Sequence, residues 1–131
     1  MKRKGLPALG EIAAALLEAE RARLRAAGAL RARAEAKVAD LDAAVARQHA
    51  VIAAELEAPV AGRVLDRWGG WADRRRSVLT LNLARERAAW EQQRQATLWA
   101  FGRAEALKRL AAETAAEARR KARRDALKKT V

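Results

Sequence analysis

Glu57-Ala58-Pro59-Val60-Ala61-Gly62-Arg63-Val64-Leu65-Asp66-Arg67-Trp68-Gly69-Gly70-Trp71 is the stretch of this chain that resists reading as continuous helix. Proline lacks an amide donor and its ring clashes with the preceding turn, while paired glycines lose more backbone freedom than any other residues on folding. Between Gly62 and Gly69 there is room for one short helical turn, Val64 to Trp68. On both sides run long, alanine-rich, charged segments with few other breakers. A break close to the middle of a 131-residue chain, between two arms of similar length, is the sequence form of a helical hairpin. The reading is all-α: one domain over 1–131, a long antiparallel two-helix coiled-coil hairpin. Arm one is predicted at about residues 8–57, the bend at about 58–71 and arm two at about 72–127.

Working outward from the break, arm one carries a heptad seam. Leu17, Leu24, Val38, Val45 and Ile52 fall at multiples of seven, with Ala13, Ala27, Ala34 and Leu41 at the complementary positions. Leu9, Leu16 and Leu30 widen that stripe by one position, and Glu20, Arg31, Gln48 and Glu55 interrupt it. Pro7 sits in the first turn, where a missing amide is tolerated. About 50 residues at ~1.5 Å rise give an arm of about 75 Å, far longer than an ordinary globular helix. Arm two is less regular. Its stripe runs through Leu79, Leu83 and Trp90, then Leu98 or Phe101, then Ala104, Leu107, Ala111, Ala118 and Ala122. Beyond Leu110 that stripe is only alanine, so burial contributes little there and the terminal end is expected to be the least stable part.

Composition points the same way. Alanine supplies roughly half of the 51% apolar share, adding helix propensity but little buried area. The charge is +12 and uneven. Residues 1–57 hold 10 cations against 8 carboxylates, residues 58–77 hold 5 against 2, and residues 78–131 hold 13 against 6. The excess gathers in Arg119, Arg120, Lys121, Arg123, Arg124, Lys128 and Lys129, with Lys2, Arg3 and Lys4 at the other terminus. Such blocks attract anionic partners; the plain alternative is a solvated helix end whose cations suit the macrodipole. With no cysteine there is neither a disulfide nor a thiolate metal site. Glu11, Glu18 and Glu20 break up any apolar run behind the basic start, and no segment is apolar enough to span a membrane.

The inventory for catalysis is sparse. His49 is the only histidine, Ser77 the only serine and Asn82 the only asparagine, and tyrosine is absent. A nucleophile, base and orienting group must converge in a shielded site, which two helices side by side do not provide. Trp68-Gly69-Gly70-Trp71 lacks the Gly-Lys-Ser/Thr ending of a phosphate loop, and Asp40 and Asp42, two apart, point to different faces. No catalytic, cofactor-binding or metal-binding residue is assigned, and enzymatic activity is not expected. His49 reads as a flanking polar residue. Trp68 and Trp71 read either as caps on the bend end of the hairpin or, with Arg74 and Arg75 beside them, as partner anchors. Trp90 and Trp99 read as packing residues of the seam.

In size, matched arms and basic balance the chain resembles the FliJ/YscO family of type III export systems. The likeness extends roughly from Leu9 to Leu127. It is carried by Leu24-Arg25-Ala26-Ala27-Gly28-Ala29-Leu30 through Leu41, and by Ala100-Phe101-Gly102-Arg103-Ala104-Glu105-Ala106-Leu107-Lys108-Arg109-Leu110. The resemblance implies a cytoplasmic component of the flagellar or injectisome export apparatus, peripheral to the inner membrane. By that resemblance, Lys2, Arg3, Lys4, Arg119, Arg120, Arg123 and Arg124 would face the pore of the export ATPase hexamer. Trp68, Trp71, Arg74 and Arg75 would project toward the membrane export gate, and export chaperones would be further partners. The rival reading is a basic hairpin that binds RNA or the ribosome through phosphate neutralisation, although the aromatics are not interleaved with the basic run as stacking platforms. A membrane-surface helix is the weakest reading, because the alanine stripe past Leu110 inserts poorly.

Overall fold

A computed structural model describes residues 5–130 and contains two helices, α1 (Leu6–Glu55, 50 residues) and α2 (Ala58–Thr130, 73 residues). The chain is all-α, and the two helices pack against each other as an antiparallel hairpin whose seam closes within one chain. The direction is fixed by the cross-helix pairs. Asp42 meets Arg76, Glu35 meets Arg87 and Glu20 meets Gln93, so α2 numbers rise as α1 numbers fall.

The turn is shorter and earlier than the composition predicts. Among the described residues only Leu56 and Glu57 are non-helical, and the whole of Ala58 to Trp71, expected to be the bend, is the opening of α2. The Leu56 amide still donates to the Ile52 carbonyl at 3.1 Å, closing α1. The Ala61 amide donates to the Glu57 carbonyl at 2.8 Å, which makes Glu57 the residue that opens α2. Pro59 therefore lies in the first turn of α2, among the four residues whose amides have no intrahelical acceptor. It starts the second helix and does not end the first. Gly62, Gly69 and Gly70 then sit inside a helix at ordinary helical φ, which is allowed though each lowers stability relative to alanine.

The buried positions explain how so thin a core holds. In α1 they are Leu6, Ala13, Leu17, Ala34 and Ile52, with Leu24, Val38, Leu41 and Val45 half-buried between them, which is the seam read from the heptads. In α2 they are Ala61, Ala72, Leu79, Leu83, Thr97 and Ala100. Five of the ten buried apolar residues are alanine, and no large side chain is wholly enclosed among the described residues. Each buried leucine or isoleucine contributes about 1.5–3 kcal/mol, and each alanine methyl about 0.8. Small seam residues instead let the backbones approach closely, and high propensity along both arms supplies the rest.

The second half of the α2 seam differs from the expected one. Spacing of four and three, carried on from Leu79 and Leu83, passes Glu86, Trp90, Gln93, Thr97 and Ala100 and rejoins Ala104, Leu107 and Ala111. Thr97 and Ala100 are buried there, while Leu98 (50% exposed) and Phe101 (44%) lie off the seam. Trp99 is 70% exposed, contrary to its assignment as a packing residue of the seam. Hydrophobic rank favoured the larger side chains, but the helical period decides which residue faces the partner helix. The contacts divide the chain into two compact units: Arg25–Gln92, which contains the turn, and Met1–Leu24 with Gln93–Val131.

Candidate partner-binding surfaces

In the unit that contains the turn, the aromatic residues lie along α2. Trp68 and Trp71 are about three turns into the helix, so they do not cap the bend. Trp68 is half-buried and meets His49 edge-on at 6.0 Å between ring centroids; Trp71, half exposed, lies 6.3 Å from Trp68. His49 is an exposed flanking residue held against that indole. Gly69 faces the same flank: Leu41, Val45 and His49 from α1 and Leu65, Gly69 and Ala72 from α2 line a shallow groove there. Arg74 and Arg75 are exposed beside it. Arg76, the third of that run, turns to α1 and donates from Nε to the Asp42 carboxylate at 2.9 Å, which raises the guanidinium pKa above its ordinary value. Arg87 and Glu35 form a second cross-helix pair at 3.6 Å. Both pairs are exposed, and solvent screening leaves each of them weak.

Further along this unit, Arg31 and Trp90 form one layer. The Arg31 guanidinium lies 4.2 Å over the Trp90 ring, and the indole packs onto the α1 backbone where Gly28 has no side chain. A Cβ at Gly28 would stand 3.6 Å from the indole nitrogen. Arg31, an interruption in the sequence pattern, is thus accommodated by an aromatic face. Its buried Nε makes no hydrogen bond, the nearest carboxylate being that of Glu35 at 3.9 Å.

In the other unit, a polar layer joins the helices. The Gln93 amide donates to the Glu20 carboxylate and, at 3.3 Å, to the Glu20 backbone carbonyl. The Thr97 hydroxyl lies 2.8 Å from its own helix's Gln93 carbonyl and 3.2 Å from the Glu20 carbonyl across the seam. The Gln93 hydrogen bond, reinforced by Arg23 and the more distant Arg103, holds the Glu20 carboxyl below its ordinary pKa against partial desolvation. Glu20 was legible as a seam interruption; Gln93 and Thr97 were not singled out, although strict counting of threes and fours from Leu79 reaches them.

Two grooves flank the seam in this unit. One is lined by Pro7, Gly10, Ala14 and Arg21 of α1 and Phe101 and Lys108 of α2, with Glu11, Glu18 and Glu105 on its rims. The other is lined by Leu9, Ile12, Ala13 and Leu16 of α1 and by Ala100, Arg103 and Leu107 of α2. Leu6, at the start of α1, borders the same groove as Ala111. Past that point α2 runs on as residues 112–130, and every residue from Arg119 to Thr130 is exposed. This extension carries Arg119, Arg120, Lys121, Arg123, Arg124, Lys128 and Lys129 against Glu113, Glu117 and Asp125. Arg119, Arg120, Arg123 and Arg124, assigned to one partner site from sequence, are therefore gathered on one helix end. Lys2, Arg3 and Lys4, assigned with them, lie outside the described residues.

Among the described residues, no cluster of three or more histidine and carboxylate side chains is placed to hold a metal ion, and no helix is long and apolar enough to cross a membrane. Neither models of protein families, nor curated proteins, nor solved structures give a match to this chain.

Proposed function

We propose that this protein is a non-enzymatic, stalk-like coiled coil of the flagellar or a related type III export apparatus. In this reading it binds the export ATPase hexamer through its terminal end and couples that ATPase to the membrane export gate. It works in the cytoplasm, held at the inner membrane through protein partners, and can escort export chaperones. The observation that supports this most is the α2 extension, a cationic helix end whose seven arginine and lysine side chains are all exposed among the described residues. A narrow positive helix end suits insertion into an acidic, ring-shaped site, where charge complementarity speeds encounter and suppresses wrong partners. The exposed Trp71 with Arg74 and Arg75 on α2 offers a second, chemically different surface for the gate.

The test is a pull-down with the cognate export ATPase, alongside secretion measured in cells lacking residues 119–131. Loss of both ATPase capture and secretion is the expected outcome. Unchanged export after that deletion would reject the proposed orientation. The same cations favour a second reading, a hairpin that binds RNA or the ribosome. An electrophoretic shift of bulk RNA that persists at about 150 mM salt would support it, and no shift there would remove it.

A further inference from the structure

The groove between Leu9-Ile12-Leu16 and Ala100-Arg103-Leu107 differs from its counterpart on the other flank. Among the described residues, Arg103 is the one charged residue lining it, whereas the opposite groove mixes Glu11, Glu18 and Glu105 with Arg21 and Lys108. Ile12 and Leu16 are each 56% exposed, and Leu110, the next residue along the α2 rim, is 48% exposed. These are large apolar side chains left outside a seam in which half of the buried apolar residues are alanine. Both rims follow helical spacing: 9, 12 and 16 on α1, and 103, 107 and 110 on α2. Two parallel ridges with that spacing form the receiving side of knobs-into-holes packing for a third helix.

The α2 rim continues onto the extension. Counting on from Leu110 by alternating fours and threes passes Thr114, Glu117, Lys121, Arg124 and Lys128, with Glu117 the one carboxylate among them. The ridge thus changes from apolar beside α1 to cationic beyond it. A second copy of this +12 chain would set like charges against each other at Arg103 and along the extension. A nucleic acid would match the extension but not a groove built of leucine and isoleucine.

We infer that this groove and the adjoining cationic ridge form one docking track for an acidic amphipathic helix of another protein. The helix seats apolar side chains against Ile12 and Leu16 and places carboxylates opposite Arg103, Lys121, Arg124 and Lys128. The inference goes beyond the export reading and does not depend on it, because it rests on a lateral groove and names only the chemistry of the occupant.

The full-length chain is titrated by fluorescence anisotropy, at about 150 mM salt, with a labelled synthetic helix of about 28 residues. The helix carries leucine at its a and d positions and glutamate at the flanking ones. Binding is expected. The double variant Ile12→Glu/Leu16→Glu weakens it by about tenfold or more, as does Arg124→Glu/Lys128→Glu. Circular dichroism melts of both variants match the parent, since these side chains are exposed. Three results would overturn the assignment: equal binding by a sequence-scrambled acidic peptide, equal binding by the lysine counterpart, or indifference to the Ile12/Leu16 variant. Concentration-dependent dimerisation abolished by Ile12→Glu/Leu16→Glu would instead make a second copy the occupant and reject the acidic helix.

Discussion

Glu20 and Gly28 show how single residues set the register of a hairpin whose buried seam is mostly small. The Glu20 carboxylate is stabilised by Gln93 and by nearby arginines, so its folded pKa is depressed. The unfolded chain then binds the proton more readily, and stability is lost as pH falls from the ordinary carboxylate range through the folded pKa. We expect Glu20→Gln to flatten that acid limb of a thermal-melt series while leaving the melt at neutral pH within a few degrees of the parent. An unchanged acid limb would mean that other carboxylates dominate it. Gly28 is a site of close approach: an added methyl would meet Trp90 at ordinary contact distance. Gly28→Ala is therefore expected to stabilise by about 0.5–1 kcal/mol through helix propensity. Gly28→Leu should destabilise by about 1–3 kcal/mol by pushing the indole off Arg31. Paired urea melts distinguish the two, and a destabilising alanine would show that the indole needs the bare backbone.

At the scale of the elements, the turn and the α2 extension carry opposite lessons. The turn is closed by backbone hydrogen bonds alone, with Glu57 opening α2 and Pro59 removing one amide from its first turn. A shorter side chain reaches the remaining free amides better, so Glu57→Asn is expected to raise stability by about 0.5–1 kcal/mol in denaturant unfolding. The extension has no such support. Its residues beyond Ala118 are exposed on all sides. Removing residues 119–131 should leave the hairpin's urea midpoint unchanged within error, and amides there should exchange far faster than those near Leu79 and Leu83. A large drop in midpoint would mean that the cationic end is held by the hairpin and is not free for a partner.

For the molecule as a whole, charge outweighs individual ion pairs. The cross-helix pairs Asp42–Arg76 and Glu35–Arg87 are exposed and weak, while the net charge is +12. Screening should therefore relieve more repulsion than it removes attraction. Raising salt from about 10 mM to about 150 mM is expected to raise the melting temperature by a few degrees. A fall would show that the ion pairs dominate.

The sequence by itself determined the all-α hairpin and most of the α1 seam. Helix propensity and a sustained heptad repeat act locally, and both are written in residue order. It also marked the cationic end of the chain, because charge is additive along a sequence. What only the tertiary structure decided was the turn and the second half of the α2 seam. Pro59 ends one helix or begins another depending on which carbonyls its neighbours reach, and only the hydrogen bonds of Leu56 and Ala61 settle that. Thr97 and Ala100 are buried in preference to Leu98, Trp99 and Phe101 because phase relative to α1 outranks apolarity. Leu9 and Leu16 were visible as a widened stripe, but that Ile12 joins them on an exposed flank depended on how the two helices met.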